Sequence, residues 1–292
     1  MPLKERLAVS MIRLFSKLSL KAARRLGKTL ATIFWLVGGK LKQTTLINLS
    51  IAYPKLTNLE LNRLARASFT KLFCQAPEFA ITWHRDLEWV KQHVTQVNGE
   101  ELLNESPDNG TIMLVPHFGN WELLGQYLCT QREITAMYAP PKMKAFDDMI
   151  FSARERFGAK MVPASAKGVI GLTKTLKQGG TVFILPDQIP EDGGGVFAPF
   201  FGFPAYTMTL AVKLARKTNA NVVVAAALPN DDGWHVEIHQ VSDDVKQDDD
   251  IQAATAMNEA IERFIDLQPC CYQWEYKRYR KMPDTSIRVY DR

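Results

Sequence analysis

Residues 111–122 read TIMLVPHFGNWE, and this stretch decides the fold class. Thr111–Pro116 is an apolar run of strand length, too short for a helix, and the turn signal Pro107-Asp108-Asn109-Gly110 stands before it. The strand ends at His117, the chain turns through Gly119 and Asn120, and Trp121–Thr130 has helical character, with Asn120 placed to cap it. Two later apolar runs repeat the strand signal, TVFIL at 181–185 and NVVVAAAL at 221–228. Helical patterns near 146–157, 166–177, 207–217 and 251–267 lie between or after them. Upstream, Asn98-Gly99 marks a turn, and Thr57-Asn58-Leu59-Glu60 is a capping-box pattern opening a helix that runs to about Trp83. Asp248-Asp249-Asp250 is the charge cluster of a helix N-terminus. Strands interleaved with helices of this length predict an α/β fold, a central mixed and largely parallel sheet flanked by helices.

The 292 residues are ample for a sizeable core, and 46% hydrophobic with 23% charged residues excludes both a disordered chain and a multi-span membrane protein. Charge is unevenly placed. Of 36 Lys and Arg and 31 Asp and Glu, residues 1–28 hold eight cations and a single anion, Glu5, and the remainder is slightly acidic. Within that segment Leu7, Met11, Leu14, Leu18 and Ala22 recur at helical spacing, while Arg13, Lys17, Lys21, Arg24 and Lys28 follow the same period on the other side. The uncharged run Thr29–Gly39 follows; it falls short of the roughly 20 residues that a bilayer span needs. Residues 1–39 therefore read as an amphipathic helix, either packed by its stripe on the domain or lying in an anionic membrane surface, and residues 40–292 as the main domain.

His117 sits where α/β folds place their chemistry, at the carboxyl end of a buried strand. Glu122, in the first helical turn, can fold back toward the imidazole, fix its tautomer and stabilise the charge it gains on accepting a proton. A histidine at a strand end is more often simply packed or solvated; the spacing to Glu122 favours chemistry. Other patterns carry less. His235, Glu237 and His239 share one strand face, but alternate strand residues stand about 7 Å apart, too wide to chelate easily, and no metal or cofactor is expected. Gly193-Gly194-Gly195 lacks the lysine of a phosphate-binding loop and reads as a turn. Cys74, Cys129, Cys270 and Cys271 show no metal or disulfide spacing and read as reduced thiols.

His117-x4-Glu122 resembles the H-x4-D/E signature of glycerolipid-type acyltransferases, and its context HFGNWE is similar to the late (secondary) acyltransferases of lipid A biosynthesis in Gram-negative bacteria. Further segments carry the same resemblance in order: Asn48–Pro54, Arg154 and Arg156 in ARERFGAKMVP, Pro186-Asp187-Gln188, Phe200–Ala205, and Gln273–Arg278. One departure is Lys40-Leu41-Lys42, where many members of that family carry paired arginines. The resemblance implies a glycerol-phosphate acyltransferase-like fold and transfer of an acyl chain from an acyl carrier protein thioester to a hydroxyl of a phosphorylated glucosamine lipid. It places the chain at the cytoplasmic face of the bacterial inner membrane. In that reading His117 is the general base and Glu122 its orienting partner. Arg154 binds phosphate or phosphopantetheine, and Asp187 orients Arg154 or a substrate group, or merely forms a turn. Gly119 allows a close backbone approach and offers its amide to the oxyanion, Asn120 and Trp121 shape the corner, and Pro204 belongs to a substrate-binding block. The motif supplies a base but no adjacent Ser or Cys nucleophile, so direct attack without an acyl-enzyme is expected. Another glycolipid or hydroxylated lipid as acceptor, and a catalytically silent membrane adaptor, are the competing readings. The basic, tyrosine-interleaved run Lys277, Arg278, Arg280 and Lys281 suits lipid headgroups or the acidic carrier protein better than nucleic acid.

Overall fold

In the computed structural model, which describes residues 3–104, 109–140 and 144–291, the three apolar runs are neighbouring central strands. Pro107 and Asp108 of the second turn signal lie outside the described residues. The helical N-terminal region comprises α1 (Leu3–Phe15), α2 (Leu20–Val37), α3 (Lys40–Ala52), α4 (Asn58–His84) and α5 (Leu87–His93). Strand β1 (Val94–Asn98), α6 (Glu101–Asn104), β2 (Thr111–Leu114), α7 (Trp121–Leu128), β3 (Ile134–Tyr138), α8 (Lys144–Arg156), β4 (Lys160–Pro163), α9 (Ala166–Lys177) and β5 (Thr181–Ile184) then alternate. The chain closes with the hairpin β6 (Gly195–Phe200) and β7 (Phe203–Met208), α10 (Leu210–Thr218), β8 (Asn221–Pro229), β9 (Trp234–Gln240) and α11 (Asp250–Ile265).

Seven strands form one sheet in the order β1-β9-β8-β2-β5-β3-β4. Every neighbouring pair is parallel except β8 and β9. The sheet is thus mixed and largely parallel, as the interleaved pattern predicts. Side-chain alternation divides its core in two. Ile112, Leu114, Val182, Ile184, Val222 and Val224 face one layer, in which Leu172, Leu214 and Ile261 of α9, α10 and α11 are buried. Met113, Val115, Phe183, Val223 and Ala225 face the other, with Leu123 and Leu124 of α7. Strands buried on both faces read as continuous apolar runs, which is why these three were legible.

The capping box at α4 forms as read: Thr57 N–H donates to Glu60 at 2.9 Å and Glu60 N–H to the Thr57 hydroxyl at 3.3 Å. The helix expected from residue 207 begins later, at Leu210, because Thr207 and Met208 pair with Val196 and Gly195 in the hairpin. The N-terminus also departs from the expected single helix. Ser19 accepts from Ala22 N–H and starts a second helix, which runs on through the uncharged stretch to Val37. No helix among the described residues is long and apolar enough to cross a membrane. One face of α2, with Ala23, Gly27 and Ala31, is buried, and Phe34 stacks on Phe73 of α4. A Cβ on Gly27 would meet the Cys74 backbone at 2.6 Å, so only glycine permits this approach. Arg24 ties α2 to the body: its Nε donates to Glu78 at 2.7 Å, and its guanidinium reaches the carbonyls of Asn230 and Gly233.

Candidate active site

Two neighbouring strands build the site. β2 and β5 run in parallel with Leu114 opposite Ile184, and Val115 N–H donates to the Ile184 carbonyl at 2.8 Å. Three residues beyond each of those partners stand His117 and Asp187. The register brings them together: His117 Nδ1 lies 2.9 Å from Asp187 Oδ1, and the His117 backbone N–H donates to Asp187 Oδ2 at 2.9 Å. Both carboxylate oxygens therefore hold one residue. Asp187 is 3% exposed. Burial pushes its carboxyl up, but the His117 charge and both hydrogen bonds outweigh this and leave it below its ordinary value. An ionised carboxylate only accepts, so it holds the proton on Nδ1 and leaves the Nε2 lone pair for a substrate proton. Trp121 packs against the imidazole in a T-shaped pair, ring centroids 4.8 Å apart.

Glu122 is not the carboxylate that holds His117. It is buried, and it forks onto Arg154 from the last turn of α8: Arg154 Nε donates to Oε2 at 3.2 Å and an Arg154 terminal nitrogen to Oε1 at 2.5 Å. The expected fold-back fails because the imidazole already has its partner across the sheet edge, while a guanidinium offers Glu122 a two-pronged, charge-assisted match. Arg154 also lies over the Tyr138 ring at 5.5 Å. Desolvation works against its charge, and Glu122 more than restores it.

The remaining expected residues divide. Gly119, at φ 65°, lies so close to Ala227 that a Cβ would come within 2.2 Å of its carbonyl oxygen, which is the close approach expected. Its amide, however, donates to the Cys271 carbonyl at 3.0 Å and is not free for an oxyanion. Asn120 caps α7 by accepting from Leu123 N–H at 2.9 Å and donates to the Thr82 hydroxyl at 3.3 Å, so it pins the corner to α4. Trp121 packs between His117 and Phe79. Pro204 stands exposed on β7 and lines neither of the clefts described below. In the C-terminal basic run Arg278 is buried and holds Tyr206 and Thr207 of β7, so Lys277, Arg280 and Lys281 are left toward the surface.

From Trp121, which packs on the imidazole, an apolar cleft runs along α7. Trp121, Glu122 and Arg154 belong to its wall, which continues as Gly125, Cys129, Ile134, Met161 and Phe183. An imidazole held on a carboxylate, an ion pair and a neighbouring apolar cleft suit a ligand with a polar group and a long hydrocarbon tail.

A second cleft, of about 380 Å³, is lined by Lys71, Gln75, Gly119, Gln273 and Glu275. Gln273 N–H donates to the His117 carbonyl at 3.1 Å, which draws the C-terminal segment alongside the imidazole. Sequence reading missed Glu275 as a site residue: within a basic, aromatic segment nothing distinguishes it. Burial pushes its carboxyl up to about 7, against the pull of its own backbone amide, Gln273 and His117. The unfolded chain releases this proton near the ordinary 4.5 and the folded chain only near 7, so the group costs stability increasingly across that window and fully above it. Glu275→Gln is therefore expected to melt with wild type at pH 4 and on the order of 5 °C higher at pH 8. An equal difference at both pH values in calorimetry would contradict this.

The chain matches the bacterial lipid A biosynthesis acyltransferase family over residues 4–281. It is 27% identical over 270 residues to a lipid A biosynthesis myristoyltransferase of Escherichia coli K12, spanning 88% of this chain and 80% of that protein. To a lipid A biosynthesis palmitoleoyltransferase of the same organism it is 25% identical, over 83% of this chain and 80% of the relative. A lipid A biosynthesis acyltransferase of Haemophilus influenzae is 24% identical, over 81% and 76%.

Proposed function

The chain belongs to the bacterial lipid A biosynthesis acyltransferase family, and from that premise we propose that it transfers a fatty acyl chain from an acyl carrier protein thioester to a hydroxyl of a lipid A precursor, a phosphorylated glucosamine lipid. The observation that carries this is the His117–Asp187 pair next to Trp121, which itself lines an apolar cleft. His117 Nε2 takes the acceptor hydroxyl's proton as the oxygen attacks the thioester carbonyl. Asp187 stabilises the imidazolium so formed. As the tetrahedral intermediate collapses, the C–S bond breaks, the ester remains on the acceptor, and the imidazolium returns its proton to the leaving thiolate. The cleft takes the acyl chain. Arg154, 28% exposed at the side chain and steadied by Glu122, is placed to fork onto a phosphate of donor or acceptor. No covalent acyl-enzyme is needed.

The test is incubation of the purified protein with an acyl carrier protein thioester and candidate acceptors, followed by mass spectrometry. Acyl addition to a tetra- or penta-acylated lipid A precursor supports the reading. Addition only to other glycolipids or hydroxylated lipids would move it to a different acceptor. No addition at all would leave the silent adaptor, against which the intact His117–Asp187 pair argues. Recovery of acylated protein after incubation with donor alone would defeat direct attack.

The same reading places the chain on an anionic membrane surface at the cytoplasmic face of the inner membrane. Leu7, Met11 and Leu14 of α1 stand 62%, 52% and 63% exposed, with Arg6, Arg13 and Lys17 beside them. The end of α2 adds exposed Phe34, Leu36 and Val37. An apolar row flanked by cations suits a helix lying in the headgroup region. Replacing Leu7, Met11 and Leu14 by Asp is expected to lower binding to anionic vesicles about tenfold or more in co-sedimentation. Unchanged sedimentation would count against it.

A further inference from the structure

Apart from the Glu122–Arg154 ion pair, the wall of the cleft along α7 is mostly apolar among the described residues, and Gln126 interrupts it. Helical spacing puts Glu122, Gly125, Gln126 and Cys129 along the same wall. Gln126 is 2% exposed, and neither its amide nitrogen nor its amide oxygen has a hydrogen-bond partner among the described residues. Its neighbours in the cleft include Ile134, Ala136, Met161 and Phe183, which offer it nothing. Buried amides are ordinarily paired, and leaving one unpaired is unfavourable. A ligand that enters this cleft would therefore be favoured if it satisfied the amide. A plain hydrocarbon cannot. A hydroxyl can, since it accepts from the amide N–H and donates to the amide carbonyl at once.

Position narrows the ligand. Gln126 follows Glu122 by one helical turn, about 6 Å along the axis, and Trp121 sets the start of that turn against His117. An acyl chain whose thioester carbonyl lies at His117 would pass the amide within its first several carbons, before the Cys129 end of the cleft. We propose that Gln126 is a specificity-determining residue that selects a donor whose acyl chain carries a hydroxyl near its thioester end. The inference rests on the acyl-transfer reading and adds the chemical class of the donor chain.

The experiment compares kcat/KM of the full-length enzyme for myristoyl-acyl carrier protein and its β-hydroxymyristoyl counterpart, with one acceptor, in wild type and in Gln126→Leu. Wild type is expected to favour the hydroxylated donor about tenfold or more. Gln126→Leu, of similar size and without the orphaned amide, should keep the fold, lose that preference and gain on the plain donor. Donors hydroxylated at the α and γ carbons locate the contact, and a preference for any of them that Gln126→Leu abolishes supports the proposal. Equal use of plain and hydroxylated donors by wild type, or an unchanged ratio in the variant, overturns it while leaving acyl transfer standing. Displacement of a fluorescent fatty acid by myristate and by β-hydroxymyristate reads the same preference without turnover. If no donor supports transfer, the functional reading fails, and equal displacement by the two acids then overturns the selectivity on its own.

Discussion

Asp187→Asn is expected to lower kcat on the order of 10²-fold or more while leaving the fold intact. The carboxylate does two things at once: one oxygen accepts from the His117 backbone and the other holds Nδ1. An asparagine has one oxygen and one NH₂. If its oxygen keeps the backbone bond, its NH₂ faces Nδ1 and donates, which turns the imidazole into the tautomer with its proton on Nε2. That nitrogen can then no longer act as base. His117→Ala removes the base outright and should cost about 10³-fold, within the range general bases contribute. Because the two residues act as a unit, the double variant should be no worse than His117→Ala alone. Turnover measured by product mass spectrometry, beside circular dichroism to verify folding, checks both. Near-normal turnover in Asp187→Asn would remove the pair as the catalytic element.

Glu122→Ala and Arg154→Ala are expected to fail in a different way. Glu122 is 5% exposed at the side chain and Arg154 28%, so removing either leaves a largely desolvated charge without its partner. A loss of about 2 kcal/mol in stability is expected from either single change, with the double variant recovering part of it. Activity should fall at least about tenfold through a raised KM, since the guanidinium would no longer be fixed at the cleft. The two carboxylates separate at the imidazole. In Glu122→Ala the hydrogen bond at Nδ1 should persist, because Asp187 still holds the ring; in Asp187→Asn it should not. Loss of that bond in Glu122→Ala would mean that Glu122 acts on His117 after all.

The sheet was legible where strands are buried on both faces. TIMLVP, TVFIL and NVVVAAAL are apolar after their first residue, and all three are central strands. The edges were not. Val94–Asn98 and Lys160–Pro163 are short and half-exposed, so they carry no apolar run, and β6 and β7 owe their strand conformation to each other. The corner after β2 was legible from His117, Gly119 and Asn120, because strand end, turn and helix cap are all local events. The partner of His117 was not, because it is set by register between segments 70 residues apart rather than by spacing along one. A signal for it exists: residues 111–117 and 181–187 both read as threonine, four apolar residues, proline and then an ionisable residue, His in one and Asp in the other. Aligned as neighbouring parallel strands, the two stretches place His117 beside Asp187. Glu122, five positions on from His117, was the nearer choice in sequence and the wrong one in space. The N-terminal stripe was read as one helix because its period continues past Ser19, whose cap starts a second.

The state of the His117 imidazole tests the central claim most directly. Nitrogen-15 NMR of histidine-labelled enzyme, with His117 assigned by comparison with His117→Ala, reports which ring nitrogen bears the proton when the ring is neutral. The structure predicts a proton on Nδ1, at the low field of a hydrogen bond to a carboxylate, and a bare Nε2, with the pattern reversed in Asp187→Asn. A neutral ring protonated on Nε2 in the wild-type enzyme, or a pattern that responds to Glu122→Ala and not to Asp187→Asn, would contradict the account.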